Sequence, residues 1–415
     1  VQERVAIVTS GYLPVPATQG GGVEVLDEYL INENERGKLV DFTVFSSCDG
    51  RAQEVASKYT NTTVKFIYTP KIIKVMDSMV YWIAKKVLRV SKPNSYRYIF
   101  QRISYINKVA RDINKHDYDK IVFENHATLL SSLRYKQNFE KYKGKYFFHL
   151  HNEVTKDFGN KKYIQESTKV LGVSAYINST LSAKYPDMKN EQFKVLRNAV
   201  DHSRFSMELS VKDKIKIRKD LGLEKKDFVF LFSGRLTKEK GIVEALKAFK
   251  MANIPNSKFL VVGSTFFATD VKSQFETKLG QLIDQMNNKV IFTGFIPNES
   301  MGKVYAASDV SVLPSIWDDP APLTVIESIV SGKPIITTDS GGIQEYVTPE
   351  NSITVHRDKH IVENISKAML YMTNHQDMLE KMKQESKIIS FDLTTERFYN
   401  DFCRIIKDES NDKFI

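Results

Sequence analysis

Twelve short apolar runs, separated by longer helix-like stretches, constrain this chain more than any other feature. VAIVTS (5–10), DFTVFSS (41–47), VKFIYT (64–69), KIVFEN (120–125), KYFFHL (145–150) and KVLGVS (169–174) punctuate the first half. FVFLFSG (228–234), KFLVVGS (258–264), KVIFTG (289–294), VSVLPS (310–315), KPIITT (333–338) and NSITV (351–355) punctuate the second. Alternation of this kind argues for βαβ units and parallel sheets. The two series predict an α/β chain of two Rossmann-like, doubly wound domains. The irregular stretch NAVDHSRFSMELS marks the crossing, so the expected domains are 1–205 and 206–390. The tail SFDLTTERFYNDFCRIIKD reads as a last amphipathic helix with Thr394 as N-cap, and segment 391–415 is expected to pack back on the first domain.

Several classes drop out early. No apolar run approaches the ~20 residues that cross a bilayer. The opening residues, VQERVAIVTS, lead into a strand without the charged and apolar regions of a secretory signal. Cys48 and Cys403 offer neither a disulfide framework nor a metal cluster, which fits a reducing cytoplasm. The formal net charge is +10, and it is concentrated. Between Lys71 and His116 there are eleven Lys/Arg against Asp77 and Asp112, a surplus of +9. That segment calls for an anionic partner.

The chemistry-bearing residues cluster at strand ends. Gly20, Gly21 and Gly22 sit where the first strand's loop meets the helix VEVLDEYLI. Glycine lets backbone N–H groups approach an anion, and a helix N-terminus adds positive potential; an ordinary flexible loop is the alternative. SGRLTKEKG (233–241) follows a strand and enters a helix. Its Arg235 and Lys240 can place a fork-shaped and a point-like cation on one anionic group, while Lys238 reads as solvated. In PSIWDDPAPLTVIESIVSGKPIITTDSGGIQEYV (314–347), Asp319 and Glu327 are carboxylates suited to sugar hydroxyls. Glu327, expected in a helix's first turn, equally fits a helix-dipole role. Asn125 and His126 end another strand and are candidates for the acceptor side.

GRLTKEKG, FTGFIP (292–297), LPSIWDDPAPLTVIESIVSGKPII and GGIQE (341–345), with VLRNAVDHSRF (195–205), occur in one order and spacing. Together they resemble the retaining GT-B glycosyltransferases of family four, the group 1 glycosyltransferases, including surface-polysaccharide and lipopolysaccharide-core enzymes. The resemblance implies two Rossmann-like domains facing across a cleft, and transfer of a hexose-type sugar from a nucleotide diphosphate donor, UDP by default, to a growing glycan or glycolipid. It implies that Arg235 and Lys240 bind the donor diphosphate in place of a metal, with no cofactor. Asp319 would meet the transferred sugar and Glu327 the ribose. The backbone of Ala321, Pro322, Leu323 and Thr324 would line sugar and phosphates. Phe295 and Ile296 would meet the base, and Gly21 and Gly22 the diphosphate. Of the two histidines in YFFHLHNEV, the resemblance favours His151 near the sugar's hydroxymethyl group over His149. Asp319 stands where the family has Glu, and Ala321-Pro322 where it has Phe-Gly, so the sugar's identity is the least determined part. A GT-B phosphorylase and a catalytically inactive partner subunit are the alternatives.

Asp117-Tyr118-Asp119 has the form of a metal-binding D-x-D. It precedes a strand, at the edge where open α/β sheets do not build sites, and is read as non-metal. In segment 71–92, Ile72, Val75, Met76, Met79, Ile83 and Val87 form one helical stripe. Lys71, Lys74, Lys85, Arg89 and Lys92 lie opposite, and Pro93 ends the pattern. Either the stripe packs on the core, or it rests on an anionic membrane surface from the cytoplasmic side. No nucleic-acid-binding signature accompanies the charge.

Overall fold

In this computed structural model the structure describes residues 2–88, 97–207, 209–263, 274–286 and 288–408. Arg89, Lys92, Pro93, Ser264 and the tail 409–415 lie outside the described residues. Two compact units are present. One comprises residues up to Leu196 together with the segment from Tyr399; the other is Arg197–Phe398. The division falls earlier than the expected boundary at 205.

All twelve apolar runs are strands. The first unit holds β1 (Glu3–Val8), β2 (Val40–Ser47), β3 (Thr62–Ile67), β4 (Lys120–Glu124), β5 (Tyr146–Leu150), β6 (Lys169–Gly172) and a seventh, β7 (Phe193–Val195). They form one parallel sheet in the order β3-β2-β1-β4-β5-β6-β7. The second unit holds β8 (Phe228–Ser233), β9 (Ser257–Val262), β10 (Val290–Gly294), β11 (Val310–Leu313), β12 (Ile335–Thr338) and β13 (Ser352–Val355). Its parallel order is β10-β9-β8-β11-β12-β13. Three-residue β7 escaped the sequence reading because FKV is short, charged at its centre and partly exposed.

Helices cover the sheets and make the strands' apolar runs continuous: Val5 to Val8 are all fully buried. In the second unit Phe230, Phe259, Val261, Leu246, Phe249 and Met369 share one core. Strand order reverses between β1 and β4 in one sheet and between β8 and β11 in the other. At such a switch point neighbouring loops splay apart at the strands' carboxyl ends and open a crevice.

The helix Thr395–Lys407 begins where expected: the Thr394 hydroxyl accepts from the Arg397 N–H at 3.1 Å. From Tyr399 onward it packs on the first unit. The Tyr399 hydroxyl donates to Asn34 Oδ1 at 2.5 Å and accepts from the Leu39 N–H at 3.1 Å. The Phe402 ring centroid lies 6.1 Å from that of Phe42.

The basic segment folds as the helix Lys71–Trp82, running on as a π-helical turn Ile83–Val87. Its apolar stripe does not pack on the core, which overturns that alternative. Ile72 is 69%, Met79 57% and Trp82 58% exposed, and Val75, Met76, Ile83 and Val87 are exposed as well. The inward face instead carries Asp77 and Ala84. The buried Asp77 carboxylate accepts from the N–H groups of Phe100 (2.8 Å) and Gln101 (3.0 Å), capping the helix Ile99–Lys115. Accordingly, Met79→Ser and Trp82→Ser should each change unfolding free energy by no more than about 0.5 kcal/mol in denaturant titrations. Asp77→Ala, which strips a buried helix start of its acceptor, should cost about 1–3 kcal/mol.

Candidate active site

In the second unit, the loop after β8 and the loop after β11 flank the switch point and are tied to each other. Gly241 has φ 71°, and a Cβ there would lie 1.9 Å from the Pro314 carbonyl oxygen, so only glycine lets the two backbones meet. The Ile316 N–H donates to the Glu239 carbonyl at 2.9 Å. Across this seam the Lys240 ammonium forms a close ion pair with Asp319 Oδ2. Ser315 Oγ donates to the same oxygen at 3.1 Å, and the Asp319 N–H donates to Ser340 Oγ at 3.1 Å. The Gly342 N–H, from the GGIQE segment, reaches the Asp319 carbonyl at 2.8 Å. Arg235 is exposed; its carbonyl accepts from the Thr237 N–H at 3.0 Å, while its guanidinium makes no hydrogen bond or ion pair among the described residues. Two residues expected to meet the same ligand, Lys240 and Asp319, are thus already together, with a spare guanidinium nearby in sequence.

Pro322 precedes the helix Leu323–Val330. The first-turn N–H groups of Leu323 and Thr324 have no intrahelical acceptor, and Pro322 has no N–H to offer. Asn198 Nδ2 donates to the Ala321 carbonyl at 3.1 Å and fixes this entry. Glu327 is the helix's fifth residue, not a member of its first turn, so the dipole role falls away. It is buried, and Glu327 Oε2 accepts from the Tyr305 hydroxyl at 2.8 Å, itself 2.7 Å from Ser233 Oγ. Burial pushes the Glu327 carboxyl up to about 7, against the pull of that hydrogen bond. Phe295 and Ile296 follow β10 at the same edge; Phe295 is exposed and Ile296 half-buried.

In the first unit, Gly21 caps the helix Gly22–Gly37 with φ 103°, and a Cβ on it would meet Glu24 Oε2 at 2.2 Å. The bare backbone at this turn therefore accommodates the chain's own carboxylate. Glu24 Oε1 accepts from Ser10 Oγ at 3.0 Å, and burial raises the Glu24 pKa. One strand-pair away, His149 and His151 both turn onto Glu124. His149 Nδ1 lies 3.0 Å and His151 Nε2 3.1 Å from Glu124 Oε2, and all three residues are buried. Burial opposes charge on Glu124, but the imidazoles prevail and hold its carboxyl below the ordinary range. Burial, helped by His149, pushes His151 down to about 4. A neutral His151 that donates through Nε2 keeps Nδ1 as an acceptor. By donor type the trio also suits a divalent ion, its ligand atoms lying within 4.8 Å of one another.

Asn125, with φ 59°, is a tie between strand ends: its N–H donates to the His149 carbonyl (2.7 Å) and its Oδ1 accepts from the His151 N–H (3.0 Å). His126 Nδ1 is 2.7 Å from Thr128 Oγ1, and burial together with Arg102 lowers its pKa to about 4. The D-x-D carboxylates are separately engaged. Asp117 pairs with Lys141 at 2.8 Å, and Asp119 accepts from the Arg4 N–H at 2.8 Å. Glu124, Tyr305 and Asn198 were missed in the sequence. Glu124 stood inside a quoted strand end, Asn198 inside the crossing segment, and nothing marked Tyr305.

Residues 213–388 match the family model described as "Glycosyl transferases group 1". Over that stretch, which lies in the second unit, the chain is similar to the group 1 glycosyltransferases. The YtcC protein of Bacillus subtilis (strain 168) is 24% identical over 395 residues, covering 92% of this chain and 86% of that one. An Escherichia coli protein named UDP-Gal:alpha-D-GlcNAc-diphosphoundecaprenol alpha-1,3-galactosyltransferase is 32% identical over 158 residues, 36% of this chain and 37% of its own. Against other relatives the matched stretch spans about half of the relative's length. Anabaena Alr3699/HepE, solved with UDP and glucose and with UDP-glucose, superposes with a TM-score of 0.72 at 18% identity, covering 98% of this chain and all of its own in the former complex. At that identity the likeness establishes the GT-B fold and nothing finer.

The pKa directions set opposite pH windows. The depressed imidazoles of His126 and His151 contribute stability above their ordinary 6.5 that is lost as pH falls toward 4. The raised Glu327 contributes stability below 4.5 that is lost as pH rises through 7. Imidazole NMR titration should find His126 and His151 neutral with midpoints near 4; midpoints at 6.5 would contradict these environments.

Proposed function

We propose that the chain transfers a hexose-type sugar from a nucleotide diphosphate sugar, UDP-linked by preference, to a hydroxyl of a lipid-linked or growing surface glycan, with retention and without a metal ion. The observation that carries this reading is the gathering of Arg235, Lys240, Asp319 and Glu327 around the β8/β11 switch point. The Escherichia coli relative's named acceptor, an undecaprenol-diphosphate sugar, supports a lipid-linked substrate.

In this reading the donor exchanges partners with the resting ion pair. The diphosphate takes the Lys240 ammonium and the Arg235 guanidinium, and the Asp319 carboxylate accepts from sugar hydroxyls. The ribose diol donates to Glu327, and the free N–H groups of Leu323 and Thr324 meet the phosphates. The bond from the anomeric carbon to the diphosphate oxygen breaks, and the acceptor hydroxyl oxygen bonds that carbon on the same face. Its proton passes to the departing phosphate oxygen. The two cations stabilise the charge that gathers on the leaving group, an interaction worth about 3 kcal/mol per group in comparable sites. His151, kept neutral by burial and donating through Nε2 to Glu124, accepts at Nδ1 from the sugar's hydroxymethyl group.

The exposed stripe supplies the membrane contact. Ile72, Val75, Met79 and Trp82 would enter the headgroup layer, with Lys71, Lys74, Lys85 and Lys86 on anionic lipid at the cytoplasmic face.

UDP should raise the melting temperature of the native chain, and Arg235→Ala should abolish the shift. Native donor KM should climb as pH falls below 7, and Glu327→Gln should remove that climb. Phosphate-dependent release of sugar 1-phosphate would instead indicate a phosphorylase, and absence of nucleotide binding an inactive subunit. Vesicles with 30% anionic lipid should sediment the native chain, whereas Met79→Ser/Trp82→Ser should lose roughly ten-fold in partitioning.

A further inference from the structure

Four aromatic rings form a continuous line along the carboxyl edge of the first sheet. Tyr98 and Tyr12 have ring centroids 6.2 Å apart, Tyr12 and His126 6.1 Å, and His126 and Phe158 5.4 Å, the last pair stacked. Tyr12 follows β1, His126 follows β4 and Phe158 follows β5, so the line spans the β1/β4 switch point, where loops separate into a crevice.

Three of these rings are exposed, and His126 is half-buried between them. Tyr98 is 42%, Tyr12 49% and Phe158 52% exposed. They are nevertheless held in place. Arg102, itself buried, lies beneath Tyr12 with its guanidinium carbon 4.8 Å from the ring centroid, and donates through Nε to Thr128 Oγ1. Arg97 sits 5.3 Å over Tyr98. Phe158 has φ 52°, a left-handed conformation that a bulky side chain adopts at a cost. Its loop is fastened on both sides to maintain it. Asp157 Oδ1 accepts from the Gly159 N–H at 2.8 Å, Tyr185 donates to Asp157 at 3.0 Å, and Arg134 reaches the Gly159 carbonyl at 2.6 Å. Folding alone would favour glycine at 158 and a polar residue at 12.

The geometry points to a glycan-binding platform: the exposed rings of Tyr98, Tyr12 and Phe158, set around half-buried His126 and turned relative to one another (58° between Tyr98 and Tyr12, 71° between Tyr12 and His126), take the carbon–hydrogen faces of successive pyranose rings of the acceptor. A pyranose presents such an apolar face, and exposed, prepositioned aromatic rings bind it with little ordering cost. Polar groups at the rim suit its hydroxyls: the Tyr12 and Tyr98 phenols, and the ring nitrogen of neutral His126 that Thr128 leaves open. The inference rests on the transferase reading only for the word acceptor; binding of a glycan here stands apart from donor binding in the second unit.

The test uses the full chain and saturation-transfer NMR with methyl glycosides of glucose, galactose and N-acetylglucosamine and their β-1,4 disaccharides. The native chain should saturate the ring protons of one sugar face, with disaccharides bound more tightly than monosaccharides. Tyr12→Ala and Phe158→Gly should each weaken binding on the order of ten-fold, while Phe158→Tyr retains it. Phe158→Gly should at the same time raise the melting temperature, since it relieves the left-handed backbone. UDP binding should be unchanged in all three variants. No glycoside signal in a native chain that binds UDP would overturn the platform and leave the transferase reading standing. Equal weakening by Phe158→Tyr and Phe158→Gly, or loss of vesicle binding by these variants with glycoside binding intact, would overturn it too.

Discussion

Parallel pairing in both sheets delivers every strand's carboxyl end to one edge, and the strand order reverses once in each sheet. These two facts determine where chemistry can sit. The β8 loop brings Arg235 and Lys240, and the β11 loop brings Asp319 and the helix that carries Glu327. Gly241 against Pro314 and Glu239 against Ile316 then clamp the two loops together. The ion pair of Lys240 with Asp319 follows from that clamp, and pairing offsets part of the desolvation cost that both charges incur there.

The first unit uses the same edge differently. Its charges are internal: Glu124 is engaged by two imidazoles, and Glu24 occupies the turn that the glycines leave open. Its exposed groups include an apolar and aromatic set, from the Ile72–Trp82 stripe through Tyr98 and Tyr12 to Phe158, beside the exposed Lys71, Lys74, Lys85 and Lys86. Arg97 joins the two surfaces, lying 5.8 Å over Tyr81 of the stripe helix and 5.3 Å over Tyr98. In the function we propose, the second unit's edge takes the nucleotide sugar and the first unit's edge takes the glycan.

Much of this was legible in the sequence, for physical reasons. Strands buried on both faces must be apolar throughout, so twelve of thirteen were visible; β7, an edge strand, carries no such obligation. The strand–glycine–loop–helix context of Arg235 and Lys240 was equally readable, because glycine and a helix start follow an apolar run there. Burial direction was not. A stripe such as Ile72-Val75-Met79 has the same period whether it faces core or solvent, and only the position of Asp77, inward to cap a neighbouring helix, decides the matter. Pairings across long separations were hidden for a related reason. Glu124 with His151, Tyr305 with Glu327 and Lys240 with Asp319 depend on register and loop closure, which local pattern does not encode. Glu327 shows the same limit at smaller scale: a shift of a few residues in the helix start changed its role from dipole complement to buried acceptor.

In the function we propose, the Lys240–Asp319 pair is a resting arrangement which a nucleotide diphosphate opens. A crystal structure of the chain with UDP tests this most directly. The expected result is diphosphate oxygens on Lys240 Nζ and the Arg235 guanidinium, ribose hydroxyls on Glu327, and Asp319 released from the ammonium. UDP bound away from the β8 and β11 loops, or bound there with Lys240 still on Asp319, would contradict it.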